Sequence, residues 1–377
     1  MLFVQGAGVR SGAESALLAR VRHLPEHGVD PVVAFLADGP FRREVEGAGV
    51  ETVLLGEGPR LRSVTRVPSA VRGLAAAVRA QRADLLEGCG EKMSVLAGWA
   101  ARLAGCGCVF NLQDAPRRSP TATAVQLVAA GGRHDAVVVP SEWMARGFRG
   151  FGLRPRVVPN GISPEDVPRE PTDVRALAAW PSESVLIGHF GRLVPWKGPD
   201  VLLRAARRLH ADAARTRFLF AGGTFYGRQP GYEEGLHELT DRLGLGDVVH
   251  FAGYREDALS LMAGCDAVAH CSLEPEPFGM VVLEAMALGK PVVASRMGGP
   301  EEIVDHGRTG ILVDPGDEGR LSAELASLVA DPARRAGLGE AARLEVERRY
   351  SGSVVCASLG ALYRDVASRR SRRQVPL

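Results

Sequence analysis

Short apolar runs alternate with helical patterns through both halves of the chain, and this alternation restricts the fold more than any other feature. In the first half the apolar runs are 1–5, 31–37, 51–55, 84–87, 107–112, 136–140 and 156–159. In the second half they are 185–190, 217–221, 248–252, 266–271, 291–294 and 310–313. Strands joined through helices pair in parallel, because a parallel connection must cross over the sheet. The pattern predicts an α/β fold with a doubly wound parallel sheet in each half.

Length and a break in this pattern predict two domains. A chain of 377 residues is long for a single hydrophobic core. Turn formers and prolines are concentrated in PNG at 159–161 and in the following ISPEDVPREP, so the linker is placed there. We predict an N-terminal domain over 1–163 and a C-terminal domain over 178–351.

Composition narrows the class of protein. The formal net charge of +2 argues against nucleic acid as the main partner. No apolar run approaches the roughly 20 residues that cross a bilayer, and Met1 leads into a strand without the regions of a signal peptide. Six cysteines lack zinc-type spacing. We predict a cytoplasmic protein with reduced thiols and no metal site.

The stretch 271–299, CSLEPEPFGMVVLEAMALGKPVVASRMGG, indicates a ligand site. Pro275 and Pro277 favour an extended turn, and a helical pattern then runs from about Gly279 to Gly289. A helix start presents unpaired amides and the positive end of the helix dipole, which suit a diphosphate. In this chain those amides belong to Phe278, Gly279 and Met280.

Two carboxylates flank this helix start. Glu276 precedes the helix and Glu284 lies inside it, so each can accept hydrogen bonds from hydroxyl pairs on either side of a diphosphate. The alternative is that both glutamates flank a buried helix without a ligand.

Cations and glycines follow other strands at the edge where ligands bind in open α/β sheets. Arg192 and Lys197 lie in the loop after strand 185–190. Gly222 ends the next strand, and Tyr254 and Arg255 follow the strand after that. We expect these three residues to surround the base of a nucleotide.

Three stretches together resemble the retaining glycosyltransferases of family 4, which have the GT-B fold. Glu276 and Glu284 resemble the E-x7-E signature of that family. GRLVPWKG at 191–198 resembles its GRL-xxx-KG segment, and RSGAE at 10–14 resembles its Gly-Gly-Ala-Glu loop with Ser11 for the first glycine. The resemblance implies two Rossmann-like domains facing across a cleft, the N-terminal one for the acceptor and the C-terminal one for a nucleotide sugar. It also implies that a C-terminal helix, 352–377, completes the N-terminal domain.

The resemblance implies a role for each motif residue. Glu276 orients the sugar hydroxyls, and Arg192 with Lys197 neutralises the diphosphate, with retention of anomeric configuration. The implied donor contacts are Glu284, Phe278, Gly279, Met280, Val281, Gly191, Gly222, Tyr254 and Arg255. The implied contacts to the acceptor or sugar are Gly12, Gln113, Asp114 and Arg117.

One departure from the family and one absent motif bear on the chemistry. Relatives often carry a histidine where this chain has Gln113, and glutamine is not a proton shuttle. Asp-x-Asp, a metal-binding signature of other glycosyltransferases, is absent from the sequence. Without that motif, positive charge on the diphosphate must come from the protein, which predicts a metal-independent enzyme. Together with the resemblance, this predicts a hexosyltransferase without a cofactor, acting on a UDP- or GDP-sugar and a small polar acceptor of bacterial biosynthesis.

Three alternatives stay open. A nucleotide-sugar epimerase or hydrolase would share the diphosphate site. An NAD-dependent oxidoreductase would use the loop with Gly6, Gly8 and Gly12, although such a glycine pattern is weak evidence by itself. The arginine-rich segment 59–82 is interpreted as a solvated helix face, with binding to a membrane surface as its alternative. The oligomeric state does not follow from the sequence.

Overall fold

A computed structural model of the chain describes residues 1–6, 12–55, 67–115, 134–149, 153–168, 170–212, 215–223 and 231–374. The chain forms two compact units. The first contains Met1–Ser163 and Tyr350–Leu377, and the second contains Pro164–Arg349. Residues 164–177, which the sequence analysis leaves between its two domains, group with the second unit.

The first unit is built on a seven-stranded sheet in the order β3-β2-β1-β4-β5-β6-β7, with every pair parallel. Its strands are β1 Leu2–Gln5, β2 Val32–Phe35, β3 Glu51–Leu54, β4 Leu85–Cys89, β5 Gly107–Asn111, β6 Ala136–Val139 and β7 Arg156–Val157. The described helices of this unit are α1 Gly12–His23, α2 Pro40–Gly47, α3 Val67–Ala80, α4 Glu91–Ala104, α5 Glu142–Arg149 and, at the far end of the chain, α14 Gly352–Gln374.

Helices cover both faces of this sheet. One core cluster joins α3 and α4 to the strands through residues such as Leu74, Leu96 and Phe110. The other joins α1, α2 and α14 through residues such as Phe41 and Leu359. Because strands of a parallel sheet are buried on both faces, they read as the continuous apolar runs seen in the sequence.

Helix α3 covers part of the arginine-rich segment. Leu74 and Val78 are buried in the core, whereas Arg72 and Arg79 are exposed. Its apolar face is therefore used for packing. Residues 56–66, which contain the remaining arginines before α3, lie outside the described residues. Within the described part of the chain, no helix combines the length and the apolar character that crossing a membrane requires.

The second unit repeats the design with a six-stranded parallel sheet in the order β10-β9-β8-β11-β12-β13. Its strands are β8 Val185–Phe190, β9 Thr216–Ala221, β10 Val249–Gly253, β11 Ala267–His270, β12 Val292–Ser295 and β13 Ile311–Val313. Its described helices are α6 Val174–Leu177, α7 Pro199–Asp212, α8 Tyr232–Arg242, α9 Ala258–Gly264, α10 Met280–Ala287, α11 Gly299–Ile303, α12 Glu318–Ala330 and α13 Pro332–Arg349.

The predicted fold class, two parallel α/β domains, is confirmed, and each strand predicted from an apolar run is present. In the second sheet the chain winds one way from β8 to β9 and β10, and the other way from β11 to β13. The carboxyl ends of β8 and β11 therefore meet at a topological switch point, where ligands of open α/β sheets bind.

A buried polar network fastens α14 to the first sheet. The Tyr363 hydroxyl donates to Oε2 of Glu87 at 2.6 Å, and Asn111 Nδ2 donates to Oε1 of the same carboxylate at 2.7 Å. Arg20 lies 3.5 Å from Oε1. Burial raises the pKa of Glu87, with Arg20, Tyr363 and Asn111 opposing the shift. The network satisfies a carboxyl group in the middle of an otherwise apolar strand.

Candidate functional site

Glycines hold the backbone of Glu276 in an extended conformation between β11 and α10. Glu276 pairs with Gly298 in a parallel bridge, and Gly299 N donates to the Glu276 carbonyl oxygen at 2.9 Å. Gly298 has φ +67°, and a Cβ there would lie 2.5 Å from that carbonyl oxygen. A side chain would push the two segments apart, so glycine permits their close approach.

A second loop brings Lys197 to the same place. After β8 the chain forms a short 3-10 helix, Pro195–Lys197, which ends at Gly198 with φ +64°. A Cβ on Gly198 would collide with the Cys271 carbonyl oxygen. Leu273 N also donates to the Trp196 carbonyl oxygen at 2.7 Å. These contacts tie the loop after β8 to the loop after β11.

Three donors converge on a single oxygen, Oε1 of Glu276. Lys197 Nζ and His270 Nε2 each lie 2.6 Å from it, and the Ser272 hydroxyl also donates to it. Glu276 is only 7% exposed. Within the described part of the chain, no group donates to the other oxygen, Oε2. One carboxylate oxygen is thus immobilised and the other is left to accept.

The charges around Glu276 keep it ionised. Burial alone would raise the pKa of this carboxyl, but Lys197, His270 and their hydrogen bonds outweigh burial and hold the pKa well below its usual range. Nearby, burial lowers the pKa of His189 to about 3, with the charges of His270 and Lys197 acting in the same direction. His189 is a neutral, packed ring 5.5 Å from the Phe220 ring centroid.

Cations and glycines line the loop after β8. The exposed Arg192 guanidinium lies 5.3 Å from the Trp196 ring centroid, and Lys197 Nζ lies 4.6 Å from it, so both cations pack against one indole. Gly191 and Gly222 have φ of +126° and +145°, and a Cβ on Gly222 would collide with the Gly191 carbonyl oxygen. This edge therefore exposes backbone and positive charge.

Helix α10 begins beside Glu276. Gly279 is its N-cap with φ +97°, and the intrahelical bonds start with Val282 N and Leu283 N donating to the Gly279 carbonyl oxygen. Phe278 is buried, whereas Met280, Val281 and Glu284 are partly buried in the helix. The start of α10, with its positive end, thus lies next to the Glu276 carboxylate.

The loop after β10 presents Tyr254 and Arg255. The Tyr254 side chain is 46% exposed. Arg255 makes a two-pronged ion pair with Asp257, with Nε–Oδ1 at 2.7 Å and NH2–Oδ2 at 2.8 Å. Its guanidinium is therefore already held by a carboxylate of its own loop.

The predicted acceptor residues belong to the first unit. Gly12 is the first residue of α1, and Asp114 is exposed after β5. Gln113 Nε2 donates to Asn111 Oδ1 at 2.7 Å and to Asn160 Oδ1 at 3.2 Å. Asn160 Nδ2 donates back to Gln113 Oε1 at 2.9 Å. Arg117 and Gly8 lie outside the described residues.

The sequence analysis missed two of the three donors to Glu276, His270 and Ser272. Both are polar residues at the carboxyl end of a buried apolar strand, two positions apart and hence able to point to one side. A histidine and a serine at that position, followed by Glu276, are the signal that could have identified them.

Two family models match the chain. The glycosyl transferase 4-like domain matches residues 11–161, and the glycosyl transferases group 1 model matches residues 172–345. The first match lies within the first parallel-sheet unit and the second match within the second unit. The chain belongs to the group 1 glycosyltransferases, which confirms the resemblance seen in the motifs.

Similar proteins include curated enzymes and solved structures. The D-inositol 3-phosphate glycosyltransferase of Stackebrandtia nassauensis is 36% identical over 222 residues, which is 57% of this chain and 49% of that protein. The chain thus spans about half the length of the curated relatives it matches. The crystal structure of Anabaena HepE with UDP is 28% identical, with a TM-score of 0.81 over 97% of this chain and 99% of that chain. The same protein with UDP-glucose gives a TM-score of 0.82 over 97% and 98%.

Proposed function

We propose that the protein is a retaining glycosyltransferase that moves a hexose-type sugar from a UDP-sugar to a small polar acceptor. The observation that carries the proposal is the Lys197–Glu276 pair at the carboxyl ends of β8 and β11, beside the start of α10. The choice of UDP is supported by Anabaena HepE, which is similar over almost its whole length and is solved with UDP and UDP-glucose.

The second unit supplies the donor site. Lys197, Arg192 and the first amides of α10 stabilise negative charge on the departing diphosphate, the role that a metal ion fills in other enzymes. The positive charge that stabilises the leaving diphosphate thus comes from the protein itself, so the reaction needs neither a metal nor a cofactor. Gly279 allows the phosphates to approach the backbone closely.

Carboxylates then fix the two sugars of the donor. Glu276 accepts hydrogen bonds from hydroxyls of the transferred sugar through Oε2, and Glu284 accepts from the ribose. Gly191, Gly222 and Tyr254 border the base. Arg255 is the weakest of the predicted donor contacts, because Asp257 already satisfies its guanidinium.

The first unit contributes the acceptor contacts, with Gly12, Asp114 and Arg117 as candidates. Gln113 donates both of its amide hydrogens to Asn111 and Asn160, so only its side-chain carbonyl oxygen can form a hydrogen bond with a sugar. Without a proton shuttle at this position, a leaving diphosphate oxygen takes the proton of the incoming hydroxyl. The bond from the anomeric carbon to the diphosphate breaks and the bond to the acceptor oxygen forms on the same face of the sugar, which gives retention.

Ligand binding tests the donor assignment. A thermal-shift panel with UDP, GDP, ADP, TDP and NAD should show a higher unfolding midpoint with UDP, because a ligand that binds only the folded state stabilises it. A shift with NAD alone would favour an oxidoreductase. Release of free sugar or an epimer from UDP-glucose without any acceptor would favour a hydrolase or epimerase.

Substitutions test the catalytic assignment. Lys197→Ala and Glu276→Ala should each lower kcat/KM by about 100- to 1000-fold, the size of effect seen when one group that stabilises developing charge is lost. Lys290→Ala is the matched control, because Lys290 is a partly buried lysine of the same unit beside Cys265 and Asp266. Full activity in either site variant, or an inverted anomer in the product, would contradict the proposal.

A further inference from the structure

Lys197 has two anionic partners in the proposed reaction, Glu276 and the donor diphosphate. In the structure its ammonium lies 2.6 Å from Oε1 of Glu276. A bound diphosphate would place two further negative charges beside the same ammonium. Its attraction for Glu276 would then be divided, and the carboxylate would need other groups to keep its orientation.

Building on the proposed function, we propose that His270 and Ser272 are positioning residues that hold Glu276 in its sugar-orienting geometry while Lys197 serves the diphosphate. Both donate to Oε1, and both residues are buried, with 4% and 1% of their surface accessible. Because both are buried, we expect them to keep this contact when a ligand engages Lys197.

The two side chains form one clamp. They lie two residues apart where β11 ends, and Ser272 Oγ is 3.2 Å from His270 Nε2. His270 Nδ1 is buried without a hydrogen-bond partner among the described residues. The contact to Glu276 is therefore made by the hydrogen on Nε2.

Directing both donors to Oε1 has a consequence for the substrate. Oε2 stays able to accept hydrogen bonds, and two buried side chains at the end of β11 set the carboxylate plane while Lys197 contacts the diphosphate. Loss of the clamp should therefore slow transfer without weakening the binding of the nucleotide, whose phosphates contact other groups.

Substitution of His270 separates these effects. His270→Leu replaces the imidazole with an apolar side chain that has no hydrogen-bond donor. The kcat for transfer from UDP-glucose should then fall about 10- to 100-fold, the loss expected for one hydrogen bond to a charged group. The Kd for UDP should be unchanged. His270→Gln places an amide N–H near the former Nε2 and should recover most of the lost kcat.

Matched controls lie in the same unit. His250→Leu removes a histidine that packs edge-on against Trp180, and Ser322→Ala removes a buried serine of α12 for comparison with Ser272→Ala. Neither control should change kcat.

Several results would overturn the inference. The first is a kcat of His270→Leu equal to that of the wild type. The second is a loss of kcat in His270→Gln as large as in His270→Leu. The third is a joint loss of kcat, UDP affinity and unfolding midpoint, which would show that the role is only structural. If the wild-type protein neither binds UDP nor transfers sugar, the proposed function itself is wrong. This test needs only the wild-type protein, so it is separate from the tests of His270 and Ser272.

Discussion

Two neighbouring side chains, Glu276 and His189, have lowered pKa values for different reasons. Opposite charge lowers the pKa of Glu276 against the effect of burial, whereas burial itself lowers the pKa of His189. In the first case the charged form is stabilised, and in the second the neutral form is. Both shifts make folding stability depend on pH in the acid range.

His189 should reveal itself in the pH dependence of stability. Its pKa is about 3 in the folded protein against 6.5 as the reference value, so between these values the unfolded chain binds more protons. The free energy of unfolding should then fall by about 1.4 kcal/mol per pH unit as the pH drops from 6.5 towards 3. Above pH 6.5 this contribution is complete.

The comparison is between the wild type and His189→Phe in urea unfolding at several pH values. Carboxylates titrate in both proteins, so the slope of the difference isolates His189. The variant should gain stability relative to the wild type as the pH falls. Parallel curves would contradict a neutral buried histidine.

For single residues, the sequence predicts the position of the charged site residues better than it predicts their hydrogen-bond partners. Glu276 and Lys197 were predicted at one sheet edge because each follows a strand of that edge, and they lie 2.6 Å apart. His270 was not predicted, since a histidine in an apolar strand indicates a partner only when it is considered together with Ser272 and Glu276. The Gln113–Asn160 contact joins residues 47 positions apart, so only the folded chain shows it.

Among the elements, α10 depends on its N-cap. Gly279 has φ +97°, and a Cβ there would lie 2.8 Å from Pro300 Cγ. Gly279→Ala should therefore combine a left-handed backbone penalty with overpacking, a loss of about 2–5 kcal/mol in the free energy of unfolding. Denaturant titration measures this loss.

Gly307→Ala is the matched control, since Gly307 has φ +81° but nothing within 4 Å of a Cβ. It should lose only the backbone penalty, about 1–2 kcal/mol. Equal losses at the two positions would show that Pro300 moves aside at no cost.

The second element that invites a test is α14, through the Tyr363–Glu87 hydrogen bond. Tyr363→Phe leaves Oε2 of a fully buried carboxyl group without its donor, at a cost of about 1–3 kcal/mol. Tyr232→Phe removes a hydroxyl that donates to the partly exposed Asp200 at 3.2 Å, and should cost about 0.5 kcal/mol or less. A loss no larger than the control's would mean that the network does not fasten the helix.

Strands were predictable because burial on both sheet faces leaves continuous apolar runs, and this holds even for the three-residue β13. Strand order was not predictable in the same way, since no local signal states that β8 lies between β9 and β11. The Glu87 network was also missed. An acidic residue within the apolar strand LLEGC indicates a buried partner, but the partners Arg20 and Tyr363 are 67 and 276 residues away.

For the whole molecule, the described core clusters divide between the units. Those of the first unit include Val355, Cys356 and Leu359 of α14, whereas the cluster of the second contains only residues of that unit. A chain that stops at Arg349 should therefore lose the fold of the first unit and keep that of the second. Hydrogen exchange should become fast in β1 and β5 and stay slow in β8 and β11. Continued protection of β1 would show that α14 is dispensable.

The place of α14 in the chain also bears on biosynthesis. A ribosome completes the whole second unit before it makes the helix that closes the first. During that interval the apolar surface on which α14 packs, which includes Phe3 and Val21, is exposed to solvent. Nascent chains with such surfaces bind chaperones or aggregate. The second unit, whose strands are contiguous in the chain, can fold on emergence. The second unit therefore completes its fold before the first, although the ribosome makes most of the first unit earlier.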